Sequence, residues 1–406
     1  MFTDVAQAVA YVTSRRSAHQ KPEHFRRFLA SQGNPQDRFQ SLHIAGTNGK
    51  GSTVWFLACC LMEAGYTVGT FTSPHLQAHQ DRIRIQGKWI EDDVFLDYVN
   101  RYQPLIEQWQ LGMFEIDFFF ACLWFARRQV DVAIVETGVG GLNDATNALS
   151  APLACVIVNI GLDHMDRLGG TLAEIAQQKA GIIKPGSIAV TAESHPECLD
   201  VLRRQCERCH VPLVQCRPFT LVRTMPVCLK IDEHLVQLAG GGRYQAANAA
   251  LAWTVLDCLK EKGLDVRAEQ RCHALGQARW PGRFEVVRHH PLTILDGAHN
   301  LPGIEALCAS LVDLPHPRVI VFAALADKQT DQMVQQLSQI CDQLIVTQFD
   351  YVRAQKGKLL QIAGSLLIED WRQALKQGAE QAKAGSLIVT GSLYFISEVR
   401  AAYDQE

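Results

Sequence analysis

The sequence predicts an α/β protein of two domains. An N-terminal P-loop-type domain on a mostly parallel sheet is expected over residues 1–281, and a smaller C-terminal Rossmann-like α/β domain over residues 282–406. Three observations carry this. Short β-branched runs alternate with helical stretches along the chain, the pattern of parallel strands joined by crossover helices. The 406 residues exceed the roughly 250–300 at which one core splits into domains. The Pro281-Gly282 pair breaks a helical region, and a new strand pattern starts at Phe284.

The elements follow in order. An apolar strand around Leu42–Ala45 runs into a glycine-rich turn, and a helical pattern begins at Ser52 and continues through Val54, Leu57, Ala58 and Leu61. Strands are expected at Thr67–Phe71, Val130–Val135, Ala154–Ile160 and 188–191, the last followed by a helix rich in Arg and Cys. Residues 174–184 read as an amphipathic helix stopped by Pro185-Gly186. Beyond the boundary, strands are expected at Phe284–Val287, Leu292–Leu295, Val319–Ala323, Leu344–Val346 and Leu387–Thr390. The stripe Phe114, Phe118, Phe119, Phe120 and Phe125 reads as core, with Phe114 and Glu115 at its start facing a pocket.

Composition narrows the function. The hydrophobic share of 48% suffices for packed cores, and a net charge of -3 carries no nucleic-acid signature. The 13 cysteines are scattered through apolar runs, which suits reduced thiols better than a disulfide framework. The apolar run Phe118–Ala126 is far short of the ~20 residues of a membrane span. No signal core follows Asp4, and Arg15 and Arg16 read as part of an ordinary surface helix, so a cytoplasmic protein is expected; oligomeric state is not readable here, and a monomer is the default. Cys206-x-x-Cys209-His210 opens like a zinc site, but no second pair follows at zinc spacing.

The most informative segment is residues 41–53, in which Gly46-Thr47-Asn48-Gly49-Lys50-Gly51-Ser52 joins strand to helix. Glycines let successive N–H groups turn inward, Lys50 adds a cation, and a helix N-terminus favours an anion. The general G-x-x-x-x-G-K-[ST] pattern is not met literally: Ile44 replaces its first glycine and Gly51 separates Lys50 from Ser52. An ATP site is expected here. Ser73, Glu136 and His164 stand just past other strand ends, where open α/β sheets bind ligands. A hydroxyl, a carboxylate and an imidazole there are candidate ligands of one Mg²⁺ beside the phosphates, although a His ligand is unusual for this ion. Lys179 lies one turn from Ile175 and Ile183 and is expected to point inward, where a lysine must be paired, neutralised or modified. Asp296-Gly297-Ala298-His299-Asn300 at a strand end and Arg283 at the junction look like a clamp, Arg283 on phosphate oxygens and Asp296 on a ribose or adenine group.

Together these motifs resemble the folylpolyglutamate synthase / dihydrofolate synthase family of Mur-ligase-like, amide-forming ATPases. The match includes Gly33-Asn34-Pro35-Gln36, His43 through Ser52, Thr72-Ser73-Pro74-His75-Leu76 and Glu136-Thr137-Gly138-Val139-Gly140-Gly141. It continues through Asp144-Ala145-Thr146-Asn147, Asn159 through His164, Lys179-Ala180-Gly181-Ile182, Pro281 through Phe284, Asp296 through Asn300 and Gly391-Ser392-Leu393-Tyr394. The resemblance implies that Thr47, Asn48, Gly49, Lys50, Gly51 and Ser52 cradle the triphosphate of ATP and that Ser73, Glu136 and His164 bind Mg²⁺. It further implies that Lys179 is carbamylated and helps hold a second ion, and that Asn248, Arg283 and Asp296 contact the nucleotide. His299 and Ser392 would face glutamate, while Phe114, Glu115, Asn143, Asp144 and Ala145 would line a pterin pocket. Two departures fall at that pocket. Leu142-Asn143 replace a usual Arg-Leu pair, and Gly112-Met113 stand where Thr and Tyr are frequent.

The implied activity is ATP-dependent joining of L-glutamate to 7,8-dihydropteroate, to (tetrahydro)folate or to both, through an acyl phosphate. Lys50, His299 and Lys179 would be its catalytic residues, and its partners small molecules rather than nucleic acid or membrane. Two alternatives are a Mur-type amino-acid ligase and a non-catalytic nucleotide-binding protein.

Overall fold

The structure, a computed structural model, describes residues 1–15 and 22–403. Arg16 lies outside the described residues. The chain packs as two compact units, Met1–Pro218 with Asn248–Leu275, and Phe219–Ala247 with Gly276–Glu406. This differs from a single cut near residue 282. The second unit also takes Phe219–Ala247, a segment that no linear boundary at 282 separates.

The first unit is built on β1 (Gln40–Ala45), β2 (Val68–Phe71), β3 (Ile83–Ile85), β4 (Lys88–Trp89), β5 (Val132–Glu136), β6 (Ala154–Ile157), β7 (Ile188–Thr191) and β8 (Leu213–Gln215). Their order is β4-β3-β2-β5-β1-β6-β7-β8. The six strands from β2 to β8 in that order run parallel, and β3 and β4 add an antiparallel edge. The central strands β1, β5 and β6 are buried on both faces, as covered parallel strands are, so they read as continuous apolar runs. One core centres on the helix Met113–Arg128, whose Phe118, Phe119, Phe120 and Phe125 are fully buried, so the phenylalanine stripe is core. Another joins β6 and β7 to the helices Leu172–Ala180 and Pro196–Cys209.

Two elements end three or more residues earlier than their sequence pattern suggests. The strand expected to reach Ile160 ends at Ile157, because Asn159 turns its carbonyl and side chain to the N–H groups of Thr47 and Asn48. The helix expected over residues 174–184 spans Leu172–Ala180, capped at its start by Thr171 and ended at Gly181.

The second unit holds an antiparallel ribbon, β9 (Phe219–Thr224), β10 (Val227–Ile231) and β11 (His234–Gln237). It also holds a six-stranded sheet of β12 (Glu285–His289), β13 (Leu292–Asp296), β14 (Arg318–Phe322), β15 (Gln343–Gln348), β16 (Leu366–Asp370) and β17 (Ser386–Thr390). Its order, β12-β13-β17-β14-β15-β16, is parallel except for β12. Insertion of β17 between β13 and β14 brings the loops after Asp296, Phe322 and Thr390 side by side at the carboxyl edge.

Candidate active site

β1 delivers the chain to the loop Gly46–Gly49, and the helix Lys50–Glu63 leaves it. Gly49 is the N-cap in the left-handed region (φ +83°), and a Cβ there would stand 2.3 Å from Asn248 Oδ1. Only glycine satisfies both demands. The loop is braced on its other side: the N–H groups of Thr47 and Asn48 donate to the carbonyl and the side-chain oxygen of Asn159, both at 2.9 Å. Thr47 Oγ1 bonds Gly161 in both directions, donating to its carbonyl at 3.1 Å and accepting from its N–H at 2.9 Å. Asn159 therefore shapes the loop, a role that its place in the Asn159–His164 motif signalled without identifying.

Lys50 folds back over this loop. Its Nζ donates to Gly46 O at 3.1 Å and lies 4.0 Å from Glu136 Oε1. Glu136, 3% exposed at the end of β5, accepts the Ser73 N–H on Oε2 at 3.2 Å. Ser73 precedes a cis Pro74 just beyond β2. The structure thus gathers Lys50, Glu136 and Ser73 at three adjacent strand tips. His164 lies on the loop after β6 in the left-handed region (φ +51°), 4.0 Å from the Asp163 carboxylate. Among the described residues no three His, Cys, Asp or Glu side chains converge as a metal cage. The buried Glu136 carboxylate and the Ser73 hydroxyl suit a hard ion that takes few protein ligands and completes its shell with phosphate and water oxygens, whereas the His164 imidazole is the less usual donor for such an ion.

Lys179 is 3% exposed in the last turn of the helix Leu172–Ala180. Burial first, then repulsion from Lys50, depress its pKa to about 7, while the Asp163 carboxylate opposes the fall. The Gly140–Leu142 turn packs against this helix: Leu142 N–H donates to Gln178 O at 2.7 Å, and a Cβ on Gly141 would sit 2.8 Å from the same carbonyl.

At the proposed pterin side, Phe114 packs on Phe71 with ring centroids 5.3 Å apart and stands against Gly138. Glu115 turns its carboxylate back to the Gly112 N–H at 2.8 Å, so it caps its own helix, and burial raises its pKa. Asp144 is likewise engaged, accepting from Val139 N–H (2.9 Å), Thr146 N–H (3.0 Å) and Thr146 Oγ1 (2.5 Å). Asn143 and Leu142 are exposed and Ala145 is half-buried.

In the second unit, Asp296 is buried and accepts from Tyr244 Oη, from Phe284 N–H and from Ala298 N–H. Burial raises its pKa against these donors and Arg283. Arg283 Nη1 donates to Gly297 O at 3.3 Å. His299 Nδ1 is 2.9 Å from the same carbonyl; a carbonyl only accepts, so Nδ1 carries the proton and Nε2 is the basic nitrogen. Ser392 is buried, with Oγ accepting the Tyr394 N–H at 3.2 Å.

Comparison with known proteins fits this geometry. The Mur ligase middle domain model matches residues 113–214, and the Mur ligase, glutamate ligase domain model matches residues 282–393. The dihydrofolate synthase/folylpolyglutamate synthase of Bacillus subtilis is 37% identical over 427 residues, spanning 98% of this chain and 99% of that protein. The chain belongs to the dihydrofolate synthase/folylpolyglutamate synthase family. Two solved structures of the family carry the likeness into three dimensions. Mycobacterium tuberculosis folylpolyglutamate synthase complexed with ADP and AMPPCP superposes with a TM-score of 0.88 at 27% identity, covering 99% of this chain and 100% of that one. E. coli FolC in complex with DHPP and ADP gives 0.88 at 27% identity, covering 99% and 98%. Among the described residues, no helix of this family member is long and apolar enough to cross a membrane.

Proposed function

We infer that this chain is an ATP-dependent ligase that forms the amide between L-glutamate and the carboxylate of 7,8-dihydropteroate, of a (tetrahydro)folate, or of both. The observation that carries this reading is the loop around Lys50, shaped by Asn159 and Asn248 and facing the Glu136–Ser73 pair. Relatives bound to adenine nucleotides support ATP as the substrate.

A free carboxylate is a poor electrophile, so the reaction needs a leaving group. An oxygen of the acceptor carboxylate attacks the γ-phosphorus, and ADP departs. The neutral amine of glutamate then attacks the acyl carbon, and inorganic phosphate departs. Positioning and charge neutralisation do most of the work in such a transfer. Thr47 to Ser52 cradle the phosphates; the N–H groups of Thr47 and Asn48 serve Asn159, so those of Gly49 to Ser52 are the phosphate donors, with Lys50 moving from Gly46 O to a phosphate oxygen. Asn248, Arg283 and Asp296 are the proposed contacts to the rest of the nucleotide. His299 Nε2 takes the proton of the glutamate ammonium, and Ser392 faces the same substrate. Phe114, Glu115, Asn143, Asp144 and Ala145 are the proposed pterin side; Glu115 and Asp144 act there by holding the local backbone.

Ser73, Glu136 and His164 would hold Mg²⁺, which when bound neutralises phosphate charge. A Lys179 amine with a pKa near 7 has a substantial neutral fraction at neutral pH, the form that adds to carbon dioxide. Carbamylation would then replace a buried cation with an anionic oxygen donor suited to a second cation. A cytoplasmic, monomeric ligase acting on small molecules is part of this reading; the relatives' complexes with ADP, AMPPCP and DHPP support the small-molecule substrates. In a coupled assay ADP release should require both glutamate and a pteroate or folate acceptor. ATP hydrolysis indifferent to both would favour a nucleotide-binding protein without ligase activity.

A further inference from the structure

A charged cluster that the chemistry above does not use lies within the aromatic core behind β2. Asp117 is one turn into the helix Met113–Arg128, between Ile116 and Phe118, and is wholly buried. His79 and Arg82 reach it from the short turn His79–Arg82, and both are buried as well. His79 Nε2 donates to Asp117 Oδ1 at 2.7 Å, and Arg82 Nε lies 3.7 Å from Asp117 Oδ2. Arg82 Nη2 donates to His75 Nδ1 at 3.2 Å. Phe95 packs edge-on against the His79 ring, at 5.8 Å between centroids.

The three groups meet where the sequence between β2 and β3 leaves the sheet. Thr72 N–H donates to Arg82 O at 2.9 Å, so residues 73–81 form a loop closed at its base. Asp81 tightens it from inside by accepting the N–H groups of Leu76 and Gln77 at 2.9 and 2.7 Å. Ser73 is the first residue of this loop, and its N–H meets Glu136. The helix that carries Asp117 also carries Phe114 in its first turn. One buried carboxylate therefore fastens the Ser73 loop to the element that presents Phe114.

Such a cluster is expensive to place among phenylalanines, and apolar side chains of equal volume would serve packing as well or better. Its return is geometric: the His79 hydrogen bond to one carboxylate oxygen and the longer Arg82 ion pair to the other specify where the loop sits in a way apolar contacts do not. We propose that Asp117, through His79 and Arg82, is a positioning residue that holds Ser73 and the Phe114 turn in register for phosphoryl transfer to the acceptor carboxylate. This rests on the reading of Ser73 and Phe114 given above.

The test combines kinetics with hydrogen exchange. Asp117→Asn keeps the volume but removes the charge, and His79→Gln removes the imidazole partner. Each should lower kcat for amide formation about ten-fold or more while KM for ATP stays within about two-fold. The double variant should be no worse than the weaker single, because both act through one segment. Amide exchange should quicken at Leu76 and Gln77 but not in β1 or β5. If Asp117→Asn does not fold, His79→Gln and Arg82→Lys carry the same expectation. Unchanged kcat with faster loop exchange would overturn the proposal, as would additive losses accompanied by faster exchange throughout β1 and β5. Wild-type protein that formed no amide would overturn the functional reading and this inference together; active wild type with unaffected variants would overturn this inference alone.

Discussion

Lys179, the proposed site of carbamylation, owes its unusual acidity to its surroundings. It sits in a helix that buries it, near a second lysine that repels its proton and an aspartate that partly retains it. Because its native pKa of about 7 lies below the ordinary lysine value of 10.5, the folded state binds fewer protons than the unfolded chain between those limits. The penalty for burying the cation is therefore complete below pH 7 and is relieved as pH rises toward 10.5. In carbon-dioxide-free buffer, Lys179→Met should raise the Tm over wild type more at pH 6 than at pH 9. An equal difference at both values would mean that the amine is not depressed. The inward placement of Lys179 was legible from its spacing to Ile175 and Ile183, and Ser73, Glu136 and His164 were legible as polar groups at strand ends. Asn159 and Asp117 were not. Asn159 acts half through its carbonyl, which has no residue signature, and Asp117 interrupts a phenylalanine run whose helical period reads as core regardless.

At the scale of elements, the loop–helix junction at Gly49 is the proposed phosphate cradle. A left-handed non-glycine residue costs about 1–2 kcal/mol, before any displacement of Asn248. Gly49→Ala should accordingly lower stability by at least about 1 kcal/mol in urea unfolding and weaken ADP binding several-fold in a fluorescence titration. Unchanged affinity would detach this loop from the nucleotide. The parallel strands were readable because burial on both faces makes them short apolar runs bounded by turns. The ribbon β9–β11 was not: β9 is largely exposed, with no apolar alternation to mark it, and β3 and β4 are three and two residues long. The early end of β6 was equally hidden, since its apolar run continues through Val158 and Ile160 while the backbone is already bracing Thr47 and Asn48.

For the whole molecule, the alternation of strands and helices foretold two α/β sheets, each with ligand-facing loops at the carboxyl edge. The discontinuous membership of the two units was not visible, because a chain that returns to an earlier unit leaves no compositional trace at the crossing. The residue roles converge on one claim, that the acceptor carboxylate is phosphorylated before glutamate attacks. The direct measurement uses an acceptor labelled with ¹⁸O in that carboxylate, incubated with enzyme, ATP, Mg²⁺ and glutamate. One labelled oxygen per turnover should appear in inorganic phosphate, with the other retained in the amide. Phosphate free of label, released alongside the amide product, would contradict the acyl phosphate and with it the mechanism assigned to this site.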